Sequence, residues 1–302
     1  MLSFHRITPA DKETVERYTL SVATMLCEHC FTDLYIWEDH YNTEMCEYNG
    51  FLLIRCVTFP EKKPVYLAPI GHGNLKAAID ALRQDAASRH VPFQMISIPD
   101  ALLPEFEQAI GDQYTFDWSE DSADYIYLSE KLSTLSGKKL QSKRNLINRF
   151  RAAYDDRWEY RDITPDNVDV ARAYHKKWCR AHGCARDNSF LGEACAVRRA
   201  LDHFEELNMR GGLLYLDGSV IAYTLGCRAR DDVYVVQIEK AESEIDGAYQ
   251  MINQQFVLAN CQEVRYVNRE EDLGLPGLRK AKQSYHPEIL GKKFFIVPRV
   301  EE

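Results

Sequence analysis

The most restrictive feature of this sequence is a run of three apolar segments, GGLLYLDGSVIAYTLGCRARDDVYVVQIEKA, at residues 211–241. Asp217-Gly218 separates the first two segments, and this dipeptide suits a two-residue type I′ hairpin turn because both residues tolerate a positive φ. Asp231-Asp232 turns the chain again before the third segment. The pattern therefore predicts three consecutive antiparallel strands.

Helical and extended patterns mix, without strict alternation, on both sides of these strands. The segment GAYQMINQQFVLANC has apolar residues at helical spacing. They are Ala248, Met251, Ile252, Phe256 and Ala259. A strand (VRYVN), a second helix (GLRKAKQ) and a final strand (KKFFIVP) follow. The first half likewise mixes strands such as FLLIRCVTF with helices such as NLKAAIDALRQDAASRH. The predicted fold class is α+β, with mixed, mostly antiparallel sheets flanked by helices.

The charge of the chain changes near residue 125. Residues 1–125 contain 9 Lys and Arg against 20 Asp and Glu, whereas residues 126–302 contain 28 against 26. We therefore predict an acidic N-terminal domain at 1–125 and a C-terminal domain at 126–302 that carries the functional site. No apolar run is long enough to cross a bilayer, and the N-terminus lacks the apolar core of a signal peptide. We expect a cytoplasmic protein, and its oligomeric state stays open.

Nine cysteines, an odd number scattered through the chain, indicate reduced thiols more than a disulfide framework. Cys27 and Cys30 form a lone C-x-x-C, and a zinc site needs two further ligands. The segment WCRAHGC at residues 178–184 is the candidate source of such ligands. Because a cysteine is often simply a small core residue, we predict structural cysteines and no metal.

The segment GKKLQSKRNLINRFRAAY, at residues 137–154, holds six cations and no acid in a chain of net charge −9. Leu140, Ile147 and Phe150 fall on one helical stripe, which predicts an amphipathic helix. Two interpretations of its cationic face stay open: it pairs with the acidic first half, or it contacts RNA phosphates. The second interpretation makes the following residues candidates for substrate binding: Lys143, Arg144, Asn145 and Asn148.

A second polar stretch, NREEDLGLPGLRKAKQSYHP at residues 268–287, joins a strand to a helix. Its glycines permit a tight loop, and four cations converge on that loop. They are Arg269, Arg279, Lys280 and Lys282. Asp272 is placed to fix Arg279 or to hold a substrate ammonium group, and the structural alternative is a capped helix with a surface ion pair. The candidate substrate-binding residues here are Gly277, Lys282 and Tyr285.

Three stretches together resemble a known family: residues 125–150, the hairpin with its following helix, and residues 268–287. They look like the C-terminal domain of phosphatidylglycerol lysyltransferases, which are relatives of Fem-type aminoacyltransferases. The resemblance implies two tandem Gcn5-related acyltransferase-like domains. It also implies transfer of an amino acid from aminoacyl-tRNA to a small-molecule, peptide or lipid acceptor.

Such a transfer needs modest chemistry. The aminoacyl ester is already activated, so positioning and stabilisation of the developing charge do most of the work. Glu239 or Asp272 is expected to take the acceptor's proton, and Arg279 or Lys282 to stabilise negative charge. We therefore predict Glu239, Asp272 and Arg279 as catalytic residues, and we expect Arg279→Ala to impair function without unfolding the protein.

The segment EIDGAY, at residues 244–249, stands where CoA-dependent acyltransferases have an [RQ]-x-x-G-x-[GA] loop for the pyrophosphate. Glu244 replaces the Arg or Gln, and Asp246 adds a second negative charge, so CoA binding is disfavoured. We expect no cofactor. An acyl-CoA-dependent N-acyltransferase with an unusual loop stays the second hypothesis, and a catalytically silent RNA- or protein-binding module the third.

Overall fold

The chain folds into two compact units. The computed structural model describes residues 2–59, 62–182 and 188–299, and of residues 188–191 the backbone alone. The first unit contains the described residues up to Ala123 together with residues 291–299, and the second unit those from Asp124 to Leu290. The α+β class predicted from the sequence is confirmed.

The first unit is a mixed sheet with helices packed on it. Its strands are β1 (His5–Arg6), β2 (Glu44–Tyr48), β3 (Phe51–Thr58), β4 (Lys63–Leu67), β5 (Ile70–Gly71), β6 (Met95–Ile96), β7 (Ile98–Pro99) and β8 (Tyr114–Trp118). Its helices are α1 (Lys12–Thr19), α2 (Phe31–Ile36), α3 (Glu38–Tyr41), α4 (Leu75–Ser88) and α5 (Leu103–Ile110). The main strand order is β1-β2-β3-β4-β6, antiparallel except for the β4–β6 pair, and β5 pairs with β3. Leu53, Leu82 and Phe106 lie in its core.

The second unit is a larger sheet, again flanked by helices. Its strands are β9 (Asp124–Leu128), β10 (Trp158–Asp162), β11 (Arg210–Leu216), β12 (Ser219–Arg228), β13 (Val233–Ala241), β14 (Tyr266–Asn268) and β15 (Ile289–Gly291). Its helices are α6 (Ser129–Thr134), α7 (Gln141–Tyr154), α8 (Val168–His182), α9 (Asn188–Asp202), α10 (Ala248–Asn260) and α11 (Pro276–Gln283). Across the described residues the strand order is β10-β11-β12-β13-β14-β9-β15, and β13 runs parallel to β14.

The last strand, β16 (Lys293–Pro298), belongs to the first unit. It lies between β7 and β8 in a three-stranded antiparallel sheet. The second unit begins at Asp124, close to the domain boundary at residue 125 predicted from the sequence. The predicted C-terminal domain, 126–302, includes β16, but this strand belongs to the first unit. The first unit is therefore assembled from both ends of the described chain.

The predicted hairpin and its following helix are confirmed. Asp217 and Gly218 have φ values of 49° and 75°, as a type I′ turn requires, and β11 pairs with β12 on either side of them. The following helix, α10, buries four of its five predicted apolar positions. These are Ala248, Met251, Ile252 and Phe256. Ala259 is exposed at the last turn.

The basic segment forms one 3₁₀ turn followed by α7. Leu140, Ile147 and Phe150 are buried as predicted, and they join the core of the second unit with Met251 and Phe256. The exposed cations Arg149 and Arg151 therefore project from a helix that is anchored by its apolar stripe, whereas Lys143 is buried. Among the described residues, no helix combines the length and apolar character that a membrane crossing requires.

Candidate active site

The sheet of the second unit opens where the parallel strands β13 and β14 stop pairing. Their ladder joins Val233–Val235 to Tyr266–Asn268, although β13 continues to Ala241. Arg269 directly follows β14, and its Nη2 lies 2.7 Å from Oε1 of Glu239 on β13. This ion pair bridges the two strands beyond their last paired residues. We take the opening between the strands as the candidate active site.

Glu239 is held from two sides in this opening. Its other oxygen, Oε2, accepts a hydrogen bond of 3.0 Å from Nδ2 of Asn253 on α10. The side chain of Glu239 is only 11% exposed and that of Arg269 only 12%. A carboxylate fixed in this way is preorganised, because it needs no rearrangement to meet a polar substrate group.

The guanidinium group of Arg269 is only partly satisfied by its neighbours. Burial alone would lower the pKa of this guanidinium, but the charge and hydrogen bond of Glu239, together with Tyr127 and Tyr285, outweigh burial and the pKa is raised. Its Cζ lies 5.0 Å from the ring centroid of Tyr285 and 5.8 Å from that of Tyr127. Its Nη1 is buried and has no hydrogen-bond partner in the described part of the protein. Since an arginine has five N–H donors, part of this group is left for a ligand.

Lys143, on α7, completes the group around Tyr285. The residue is only 8% exposed, and its Nζ lies 4.4 Å from the centroid of the Tyr285 ring. Burial lowers the pKa of this ammonium group, and the nearby charge of Arg269 lowers it further. Within residues 2–59, 62–182 and 188–299, no carboxylate pairs with Lys143. The site therefore contains a second buried cation whose main contact is an aromatic ring.

Asp272 and Arg279 form a closed pair beside this group. Asp272 is fully buried, and its two oxygens accept hydrogen bonds from Nε (2.7 Å) and Nη2 (2.8 Å) of Arg279. The Tyr125 hydroxyl (2.6 Å) and the Gly274 amide (2.8 Å) also donate to it. Burial alone would raise the pKa of Asp272, but the hydrogen bonds from Arg279, Tyr125 and Gly274 hold that pKa below its ordinary value. This carboxylate is ionised and surrounded by donors of the protein itself.

Lys282 fixes the loop between β14 and α11 from the inside. Its Nζ donates to the carbonyl oxygens of Arg269, Glu270 and Glu271 at 2.5–3.0 Å. Burial lowers the pKa of Lys282, and the charge of Arg269 adds to that effect. The three donors of the ammonium group match these three carbonyl oxygens. The position of Arg269 therefore depends on Lys282.

The turn in this loop is made by residues other than Gly277. Leu273 and Gly274 have positive φ values of 55° and 71°. Gly277 lies in the first turn of α11, and nothing stands within 4 Å of the place where its Cβ would be. Of the two glycines expected to permit a tight loop, Gly274 lies in the turn and Gly277 lies in the helix. The part of Gly277 in substrate binding stays a prediction.

The other candidates on the basic segment differ in their contacts. Arg144 donates from Nη1 to the carbonyl oxygens of Leu135 and Gly137, the latter at 2.7 Å, so it ties down the chain that leads into α7. Asn145 and Asn148 are exposed. That Asn145 and Asn148 contact RNA stays a prediction. Arg144 has the same predicted role, but it also makes a structural contact.

The loop before α10 is closely covered by α7. Gly247 has a φ of 87°, and a Cβ there would lie 2.8 Å from the carbonyl oxygen of Leu146 and 3.0 Å from Cβ of Phe150. Arg149 Nη2 pairs with Asp246 Oδ2 at 3.0 Å. In CoA-dependent enzymes of this fold the pyrophosphate would lie against this helix start. That CoA binding is disfavoured here stays a prediction.

The cysteines named in the sequence analysis make packing and polar contacts. Cys27 and Cys30 are buried in the first unit. Cys179, on α8, is half-buried, and its Sγ lies 3.4 Å from Nε2 of His175. Cys184 lies outside the described residues. The prediction that these residues hold no metal stays a prediction.

The structure brings three of the predicted residues, Lys143, Glu239 and Tyr285, to one place around Arg269. A second set, Asp272, Arg279 and Lys282, holds the loop that carries Arg269. Sequence reasoning named Arg269 only as one of several cations and missed the following contacts: Asn253 and Tyr127. The available signal was the position of Arg269 directly after a short strand, since residues at strand ends line such openings.

The sheet order, the helix after the three-strand meander and the opening between two parallel strands define a protein of Gcn5-related acyltransferase-like fold. A tandem GNAT protein from the clavulanic acid biosynthesis pathway has the same fold, with a TM-score of 0.52 and 13% identity over all of both chains. More narrowly, residues 21–297 match the family described as phosphatidylglycerol lysyltransferase, C-terminal. The chain belongs to that family.

Other proteins are similar to this chain as well. A conserved protein of unknown function from Bacteroides thetaiotaomicron is 36% identical, with a TM-score of 0.93 over 99% of this chain and 100% of that one. L-PGS from Bacillus licheniformis shares the fold at 15% identity, with a TM-score of 0.63 over 97% of this chain and 93% of that one. An uncharacterized protein of Mycoplasmoides gallisepticum is 25% identical over 186 residues, which is 59% of this chain and only 56% of that relative's length.

Proposed function

We propose that this protein is an aminoacyltransferase that moves an amino acid from aminoacyl-tRNA to a small-molecule, peptide or lipid acceptor. Its family, described by a lysyltransferase, supports a transfer of this kind. The observation that carries the proposal is the Glu239–Arg269 pair, a buried carboxylate beside a guanidinium with an unused donor, in the opening between β13 and β14. We also propose a cytoplasmic location, since charged tRNA is made there.

The proposed reaction is an attack on the aminoacyl ester. The acceptor's nucleophilic atom bonds to the carbonyl carbon, the bond from that carbon to the terminal ribose oxygen breaks, and the ribose oxygen leaves with a proton. Glu239 accepts the proton of the nucleophile and returns it to the departing ribose oxygen, and Arg269 stabilises negative charge on the carbonyl oxygen. Because the ester is already activated, holding both substrates in this geometry supplies much of the rate.

We assign Asp272, Arg279 and Lys282 to positioning and not to proton transfer. The two oxygens of Asp272 accept four hydrogen bonds from the protein, and it has no exposed surface. A general base must reach the proton that it abstracts, and Glu239 meets this condition better. The charged pair and Lys282 instead fix the loop that places Arg269.

Glu239→Gln is expected to reduce transfer by about 10²–10⁴-fold, because the amide keeps the shape but cannot accept the proton. The measurement is incubation with a pool of tRNA charged with radiolabelled amino acids, followed by separation of RNA and acceptor. Glu242→Gln is the matched control, since Glu242 lies just after β13 and pairs with Lys177. Unchanged transfer in Glu239→Gln would exclude its catalytic role, and no transfer by the unsubstituted protein would exclude the function.

Binding of RNA by the basic segment has its own signature. Lys138 and Lys139 are exposed at the start of this segment, and each phosphate that they neutralise steepens the salt dependence of binding by about 0.7–0.9 log units per log unit of salt. The double replacement Lys138→Ala with Lys139→Ala is expected to flatten that slope, as measured by filter binding of tRNA. Lys76→Ala, an exposed lysine of the first unit, serves as the control. Equal slopes in all three proteins would contradict RNA contact here.

Calorimetry with CoA separates the proposal from the acyl-CoA alternative. We expect no saturable heat, because Glu244 and Asp246 flank the loop and α7 covers the start of α10. Saturable CoA binding would favour the alternative. A catalytically silent binding module predicts tRNA binding without transfer, and tRNA binding would then survive Glu239→Gln.

A further inference from the structure

Two buried cations meet at the ring of Tyr285, and only one of them has a carboxylate. Arg269 pairs with Glu239, whereas the contact of Lys143 is the ring itself, at 4.4 Å. A cation–aromatic contact stabilises an ammonium group by less than the cost of removing that group from water. The described residues therefore leave one positive charge uncompensated inside the second unit.

The same place also has an unused hydrogen-bond donor. Nη1 of Arg269 is buried without a partner among the described residues, and such groups are rare because each costs free energy. Arg269 is near enough to Lys143 to lower its pKa by repulsion. A bound anion would satisfy the donor and relieve the repulsion together.

We propose that the second unit contains an anion subsite beside the Tyr285 ring, in which Lys143 and Arg269 bind a phosphate group. Arginine offers a planar fork that matches phosphate oxygens, and lysine adds a point charge. That this phosphate group is part of a transferase substrate rests on the proposed function. The binding of phosphate itself does not rest on it. The phosphate then belongs either to the acceptor or to the end of the donor RNA.

The test is a titration of the whole protein with inorganic phosphate at constant ionic strength, with chloride as the balancing anion. Binding is followed by ³¹P line broadening and by melting temperature. We expect saturable binding to the unsubstituted protein and to Lys76→Met, a control at an exposed lysine of the first unit. Lys143→Met should weaken binding at least about tenfold, the effect of one lost charged contact, and Lys143→Arg should restore part of it. Melting without phosphate shows whether each variant is folded.

Absence of saturable phosphate binding, or equal binding by folded Lys143→Met, would overturn the subsite. Repeating the titration with saturating uncharged tRNA identifies the source of the phosphate. If tRNA blocks phosphate binding, the subsite takes an RNA phosphate, and if binding persists, it takes that of the acceptor. Phosphate binding without any aminoacyl transfer would retain the subsite and reject the proposed function.

Discussion

Lys143→Met is expected to raise the free energy of unfolding by about 1–3 kcal/mol, because replacing a buried charge with an apolar side chain of similar length is often stabilising. Lys143 is 8% exposed and has no carboxylate partner among the described residues, so little attraction is lost besides the contact with Tyr285. Urea unfolding measures the change. Lys139→Met, at an exposed position, should change stability by less than about 0.5 kcal/mol.

The same pair of proteins has a distinctive pH dependence. Burial and Arg269 lower the pKa of Lys143 in the folded state below its ordinary value of 10.5. Below the folded-state pKa both states are protonated and the penalty is complete. Between the two pKa values the unfolded state holds a proton that the folded state has lost, so stability increases with pH. The advantage of Lys143→Met should therefore shrink as the pH rises towards 10.5, and a loss of stability near neutral pH would contradict this account of Lys143.

Arg279→Ala is expected to lower the free energy of unfolding by about 3 kcal/mol, because it leaves a buried carboxylate without its cation. Burial would then act more strongly on Asp272, whose pKa is now held low by hydrogen bonds from Arg279, Tyr125 and Gly274. Lys280→Ala, at the exposed neighbouring position, is the control and should cost less than about 0.5 kcal/mol.

This prediction revises the expectation drawn from the sequence, in which Arg279→Ala impairs function and leaves stability unchanged. The revision follows from burial: Asp272 has no exposed surface, and Arg279 contacts it with two nitrogens. Should urea unfolding of Arg279→Ala match the unsubstituted protein while transfer is lost, Arg279 acts directly on the substrate and the positioning role is wrong.

Local patterns predicted the elements of the second unit well. The hairpin at Asp217-Gly218 and the stripe of Leu140, Ile147 and Phe150 depend on neighbours within a few residues. The same locality explains what was missed. Lys139 and Lys143 are four residues apart and chemically identical, yet one is exposed and the other is buried against Tyr285. Only the packing of distant segments distinguishes them.

The candidate site shows the same division between local and distant information. Glu239 was predicted because it is a carboxylate on the strand that precedes the loop at residues 244–249, and that position can be read from the sequence directly. The surroundings that make Arg269 a candidate site residue are Glu239, Tyr127 and Tyr285, which come from separate segments of the chain. The pairing of Asp272 with Arg279 was foreseen from spacing, but its complete burial was not, since no local pattern reports burial of a charged loop residue.

The position of β16 has a consequence for the order in which the molecule can fold during synthesis. The middle strand of the β7–β16–β8 sheet comes from residues 293–298, which leave the ribosome after every residue of the second unit. The second unit can fold while that small sheet still lacks its centre, and β7 and β8 then present unpaired edges, which promote aggregation. Removal of residues 293–299 would leave every helix and strand of the second unit in the chain, whereas the small sheet would lose its middle strand.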